Sequence, residues 1–410
     1  MIARGQVLAV RGGLLEARLP AARLGEAVRV QNERGTITAT ITSLRDGTAS
    51  IAPHGSVDGI ASGDSVSSDP AALTLPLGTV LLGRSIDAAG TPIDGGDAIR
   101  GRRVSSELRA PAVPARGAVH EPLWTGVRAI DGLLTIGRGA RIGLFGAPGA
   151  GKSTLLHTLA HGAQADAIVI GLIGERGREA EEWTRKAPAR ASIICATSDC
   201  AAAERVRAAQ VAMAQSAVLR SRGLQVLLVL DSLARYAAAL RELAVEAGES
   251  TGRAGYPPSV FAELARYIEI GGPALGGSIT MIASVLSDGD ERDPVSEAAR
   301  SLLDGHVQLS TALAQAGWFP AIDVPASASR TMAAVVDGEH AADAAILRDA
   351  LAELAKTHDA RAFGVMPSEP KTVRAIGAEP QIEAFLRQGP GPESAGTTLS
   401  ALRALADTLR

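Results

Sequence analysis

The chain has 410 residues, 46% of them hydrophobic and 21% charged, the balance of a folded protein with more than one core rather than of a disordered one. A formal charge of −3 excludes uniform attraction to nucleic acid or anionic lipid, and two cysteines exclude a disulfide framework for a chain this long. Aromatic residues are only 3%, so the cores must be built from Ala, Leu, Val and Ile.

Short alternating runs open the chain: "GQVLAV", "LLEARL", "EAVRV", "GTITATITSL" and "GTASIAP", split by turns such as "NERG" and "RDG". They predict a small antiparallel barrel or sandwich over residues 1–75. A Gly-, Pro- and Asp-rich, linker-like stretch ("DAAGTPIDGGD") follows. Apolar strands are then predicted at 140–146, 167–174, 191–197, 225–231 and 278–286, with helical runs such as "STLLHTLAHGAQ" and "LARYAAALRELAVEAG" between them. Near-continuous aliphatic strands alternating with amphipathic helices predict an α/β domain over 76–338, its parallel sheet covered on both faces. Residues 339–410 read as a small helical domain, interrupted by the loop "RQGPGPESAG". No apolar run reaches the roughly 20 residues of a membrane span. Arg4 and Arg11 break up the N-terminus as a signal peptide, and Cys195 and Cys200 read as idle thiols of a reducing compartment. A cytoplasmic protein is expected.

Gly146-Ala147-Pro148-Gly149-Ala150-Gly151-Lys152-Ser153 fits G-x-x-x-x-G-K-[ST], lying after a predicted strand and before a predicted helix. The glycines let successive N–H groups converge on phosphate oxygens, and the start of the helix, including Thr154, adds its field. Lys152 is placed to reach the outer phosphates of ATP, and Ser153 to ligate Mg²⁺. Asp231 ends the aliphatic strand "QVLLVLD" as a metal-side acid would, although it also reads as the N-cap of the following helix. Glu175, directly after another strand, is the candidate to polarise the attacking water. Arg235, one helical turn past Asp231, points back to the same cleft. Arg178 and Glu179 read equally well as surface charges.

The stretches "TGVRAIDGLLTIGRGARIGLFGAPGAGKSTLL", "GLIGERGREAEEW", "VLLVLDSLARYA", "GYPPSVFAEL", "DPVSEAARSLLDGHVQLS" and "AGWFPAIDVPASASR" occur in that order. Together they resemble the type III secretion ATPases, the flagellar export and injectisome ATPases related to the catalytic β subunit of F-type ATP synthase. The resemblance runs from about Gly5 to about Gln388. It implies an N-terminal β-barrel, a RecA-like P-loop NTPase core and a helical C-terminal domain, assembled as a homohexamer with ATP between subunits. It also implies a role in protein export, releasing substrates from chaperones and unfolding them at the cytoplasmic face of the inner membrane. The partners it implies are a stator-like regulator, a central stalk protein and chaperone-substrate complexes, with no nucleic acid. By the same resemblance Glu175 is the catalytic glutamate, Arg176 a phosphate-contacting arginine, Asp231 the Walker B acid and Arg235 the arginine that follows it. Arg330, otherwise a surface salt-bridge residue, matches the finger that enters a neighbour's site. Phe319 falls where an aromatic lies against adenine; in an extended segment only one of Trp318 and Phe319 can face that pocket, and either could be core.

Three departures from the family pattern stand out. The loop usually reads "AGSGVGKS", and Pro148 here removes an N–H. "LARYIEIGG" replaces a segment that usually carries a Glu-Arg pair. The amphipathic N-terminal extension common in the family, which binds the regulator, is expected to be absent or very short. Export is weighed against a rotary ion-translocating ATPase subunit, which shares the site, and a RecA-like nucleic-acid motor. "LPAARLGEAV" leans toward the injectisome branch.

Overall fold

The computed structural model describes residues 3–410 apart from 12, 70–72, 287–292, 365, 366 and 390. The alternating N-terminal runs form β1 (Arg4–Arg11), β2 (Leu14–Arg18), β3 (Ala27–Asn32), β4 (Gly35–Arg45), β5 (Thr48–Pro53) and β6 (Ser65–Ser68). These close into an antiparallel barrel in the order β1-β2-β5-β4-β3-β6, so the sandwich alternative falls. Alternate residues such as Leu15, Ala17, Val28, Val30 and Ile51 fill its interior, and closure leaves no free edge.

The linker-like stretch is more ordered than its composition suggests. Strand β7 (Thr74–Leu75) pairs with β9 (Val104–Ser105), and between them β8 (Ser85–Asp87) joins the main sheet at its edge. Three residues are too few to show a period in sequence. The Asp94 carboxylate holds them by accepting from Arg84 Nε at 2.7 Å and from the Ser85 N–H at 3.0 Å.

After β10 (Pro122–Leu123), α1 (Arg128–Leu133) and β11 (Ile136–Gly137), strands and helices alternate. They run β12 (Arg141–Gly146), α2 (Lys152–Gly162), β13 (Ala167–Glu175), α3 (Gly177–Lys186), β14 (Ala191–Thr197), α4 (Ala202–Arg220), β15 (Gln225–Asp231) and α5 (Leu233–Glu246). Then come α6 (Pro258–Ile268), β16 (Gly272–Ala274), β17 (Gly277–Leu286), α7 (Pro294–Leu302), β18 (Gly305–Leu309), α8 (Thr311–Gln315), β19 (Ile322–Ser329) and α9 (Met332–Val335). The sheet order is β19-β18-β12-β17-β15-β13-β14-β8, with β16 paired to β17. Its centre is parallel, as expected, while β16 and the edge strand β19 run antiparallel. Sequence reading passed over β18 and β19 because half-buried, polar or small residues interrupt them: "GHVQL" alternates, and "IDVPASAS" carries a proline.

Side chains leave the central strands alternately toward two cores. Ile168, Ile170, Leu172, Leu227 and Val229 pack toward α2 and the C-terminal helices. Ala167, Val169, Leu228 and Leu230 pack toward α4, α5 and α6. The C-terminal helices α10 (Gly338–Ala362), α11 (Pro370–Gly377), α12 (Glu379–Leu386) and α13 (Ala395–Leu409) lie on the first side, against α1 and β19. The loop between α12 and α13 is described except for Pro390.

Beneath α2 sits a fully buried carboxylate. Asp131 accepts from the Thr125 N–H at 2.8 Å, the Thr125 hydroxyl at 2.7 Å and the Gly126 N–H at 2.8 Å. This clamp fixes the turn whose Trp124 carbonyl accepts from Gln164, just past α2, and whose Gly126 carbonyl accepts from Gln388 of the helical domain. Removing the acceptor strands three donors, two of them backbone. Asp131→Ala should therefore lower unfolding stability by about 3 kcal/mol, as read by urea denaturation; a loss under about 1 kcal/mol would show that the clamp is not holding this turn.

Candidate functional site

Strand β12 ends at Gly146, and the chain turns through Ala147, Pro148, Gly149 and Ala150 before α2 begins at Lys152. Gly149 and Gly151 have φ of +82° and +87°, the left-handed region that glycine enters without steric cost. Gly151 is the N-cap of α2 and offers no side chain to occupy the first amides of the helix. Two of the predicted loop residues serve packing instead of the cleft. A Cβ on Gly146 would stand 3.0 Å from Leu309 Cβ, and the Ala150 methyl is buried in the core under α2. The others, Pro148, Gly149, Gly151, Lys152, Ser153 and Thr154, line a cleft of about 410 Å³, joined there by Glu175, Arg176, Glu179, Asp231, Arg235 and Leu286. Ala147 is half-buried and outside the lining.

Asp231 and Glu175 reach this cleft by different routes. Asp231 is the last residue of β15, and simple alternation after Leu227 and Val229 turns it toward α2. The N-cap of α5 is Ser232, whose hydroxyl accepts from the Arg235 N–H at 3.2 Å, so capping does not account for the acid. Glu175 ends β13 instead of following it. Continued alternation after Val169 and Ile173 would aim it toward α4, away from the phosphate loop. A bulge intervenes: Ile173 pairs with Ala196, but Glu175 pairs with Thr197, and the unpaired Gly174 takes φ +71°. The extra residue turns Glu175 to the α2 face.

The cleft sets two buried acids, Glu175 and Asp231, against half-buried Lys152 and Arg235. Arg235 Nε lies 2.9 Å from Glu175 Oε1, yet it makes no hydrogen bond there, so the contact is one of charge rather than of direction. Burial, and then the like charge of Asp231, push the Glu175 carboxyl up to about 7, with Arg235 and Lys152 opposing them. Asp231 is also raised by burial, against a hydrogen bond from Ser284 and the pull of Lys152. Glu179 adds its negative charge to both acids from within the cleft, so it is not a plain surface charge. Ser284 was not legible at all: a serine within an apolar strand carries no signal of its partner.

Two predicted residues stand apart from this group. Phe319 lies outside the lining, half-buried between α8 and β19, at the end of the sheet where the phosphate loop opens. Its neighbour Trp318 packs on the core beneath the Arg387 guanidinium, which leaves Phe319 as the one of the two directed elsewhere. Arg330 follows β19 and is exposed. Its N–H donates to the Asp304 carbonyl at 2.9 Å, and among the described residues its guanidinium makes no ion pair, its contact being the Arg300 carbonyl at 3.5 Å.

Residues 126–329 match the family model described as the ATP synthase alpha/beta family, nucleotide-binding domain. The chain is 41% identical over 398 residues to a type 3 secretion system ATPase of Sinorhizobium fredii, covering 94% of this chain and 88% of the relative. It is 40% identical over 404 residues to a flagellum-specific ATP synthase of Pseudomonas aeruginosa, covering 95% and 89%. Among solved structures, the assembled ATPase EscN of the enteropathogenic E. coli type III secretion system superimposes with a TM-score of 0.92 at 36% identity, covering 98% of this chain and 100% of that one; EscN in complex with its central stalk EscO gives 0.89. The chain belongs to the family of type III secretion and flagellar export ATPases, within the wider ATP synthase alpha/beta family.

Proposed function

We propose that the chain hydrolyses ATP in a homohexameric ring and uses the cycle to drive protein export at a type III secretion apparatus, flagellar or virulence-type. The observation that carries this reading is the convergence of Lys152, Glu175, Asp231 and Arg235 on one cleft at the phosphate loop, with Arg330 exposed outside it. The loop amides and Lys152 cradle the phosphates, and Arg176 adds a contact at the rim. Glu175 accepts a proton as water oxygen attacks the γ-phosphorus and the bond to the β–γ bridging oxygen breaks, releasing ADP and phosphate. Arg235 offsets the charge of the Glu175 carboxylate. Arg330 of a neighbouring copy neutralises charge on the transferring group, and Phe319 stacks on adenine.

The donor set suits Mg²⁺: the Ser153 hydroxyl and the Asp231 carboxylate are oxygen ligands in one cleft, and this ion takes few protein ligands and completes its shell with phosphates and water. Bound there, it would supply charge neutralisation across the outer phosphates. The EscN complex with a central stalk supports a corresponding stalk through this ring. A regulator, chaperone-substrate complexes and a position at the inner membrane belong to the same reading. No helix among the described residues is long and apolar enough to cross a membrane, which suits peripheral attachment.

Lys152→Ala should lose nucleotide binding, while Glu175→Gln should bind ATP and lose at least about 100-fold in kcat. Arg330→Ala should lose a similar factor or more. Mixing Arg330→Ala with Lys152→Ala subunits should restore activity, since one supplies the loop and the other the finger; no recovery in mixed rings would overturn the shared site.

The raised Glu175 gives a pH test. A general base works ionised, so a carboxyl pushed up to about 7 leaves the free enzyme inactive below that pH and active above it. The profile of kcat/KM should therefore rise through about pH 7 and flatten above it. A flat profile from pH 5.5 to about 8 would remove Glu175 from the role of base.

A further inference from the structure

Ser284 lies on β17, the strand that separates the phosphate-loop strand β12 from β15. The register pairs Leu230 with Ala283, so one step further Asp231 and Ser284 stand side by side. Ile282 packs toward α2 whereas Ala283 and Val285 pack toward the opposite core, so Ser284 shares the face of the cleft. Its side chain is fully buried, and its hydroxyl donates to Asp231 Oδ1 at 2.5 Å. A hydroxyl in the middle of "SITMIASVL" costs desolvation free energy unless it is bonded, and here its acceptor is a carboxylate, the stronger kind of partner.

We propose that Ser284 is a positioning residue for Asp231: by engaging Oδ1 it fixes the rotation of the carboxylate, directs the other oxygen into the cleft, and so sets how strongly the site takes Mg²⁺ together with nucleotide. The inference rests on the reading of Asp231 as the metal-side acid. The bond also favours the ionised carboxylate, against the burial that raises it. Removing groups that orient a ligating carboxylate typically costs 10- to 100-fold in metal affinity. A serine that only filled space would leave that affinity unchanged.

The test is equilibrium binding of a fluorescent ADP analogue to the full-length protein, in EDTA and across a Mg²⁺ titration. Ser284→Ala should bind the metal-free nucleotide as wild type does but require roughly tenfold or more Mg²⁺ for the same gain in affinity. Ser284→Thr, which keeps the hydroxyl, should restore the wild-type Mg²⁺ requirement. Should Ser284→Ala fail to fold, Ser284→Cys, similar in size with a weak donor, carries the same expectation. Wild-type Mg²⁺ dependence in the alanine or cysteine variant overturns the proposal. Asp231→Asn separates the two levels. If it abolishes the Mg²⁺ gain while Ser284→Ala leaves it intact, only the role of Ser284 falls; if Asp231→Asn keeps the gain, the reading of Asp231 falls and takes this one with it.

Discussion

The parallel ladder of β12, β17, β15 and β13 is the constraint on which the rest depends. Buried on both faces, these strands have no lateral outlet for polar groups, so chemistry can appear only where they end. The register brings three ends to one edge: the phosphate loop after Gly146, Asp231 at the close of β15 and Glu175 at the close of β13. Helix α2 then starts inside the same cleft, and its far end is held by the turn that Asp131 clamps. Among the described residues, the barrel and the helical domain contribute no lining to the cleft, and the helical domain braces the turn beneath α2 through Gln388.

Within this frame one residue departs from regular geometry to functional effect. Gly174 interrupts the alternation of β13 and changes which face Glu175 meets. A Cβ there would lie 3.1 Å from Arg235 Cδ, so glycine meets two demands at once, a positive φ and the close approach of the arginine paired with Glu175. A carboxylate aimed by a bulge is held by the pairing with β14 before and after that bulge rather than by its own rotamer alone.

The phosphate loop was legible in the sequence because its glycine spacing encodes backbone conformation directly. Asp231 was legible because an acid closing an unbroken aliphatic run must meet a charge, a donor or a metal to offset its burial. The position of Glu175 was legible but its orientation was not, since period-two reading aims it toward α4. Resemblance supplied the role before any geometry did. The edge strands β18 and β19 escaped notice because half-exposed strands lack the apolar run that marks the central ones, and β8 because three residues carry no period. Glu179 was balanced between cleft and surface until the turn of α3 was placed. Ser284 depends on a cross-strand register that no local pattern contains.

The charges in the cleft bear on why the proposed site draws on a second copy of the chain. Among the described residues of the lining, Lys152, Arg176 and Arg235 stand against Glu175, Glu179 and Asp231, three cations facing three acids. Fully ionised, these described side chains sum to no net charge before a triphosphate enters, and burial disfavours the ionised form of Glu175 and Asp231. On the proposed reading, a polyanion added to such a site draws positive charge from beyond these side chains. A metal ion supplies part, and on the proposed reading the rest comes from Arg330 of the next subunit, exposed and without an ion pair among the described residues of its own chain. On that reading hydrolysis is tied to the contact between subunits by electrostatics: the charge that completes the site arrives when the neighbour closes, and its departure after phosphate release loosens the same contact. That reciprocity is what a ring needs to turn a chemical step into movement of one subunit against the next.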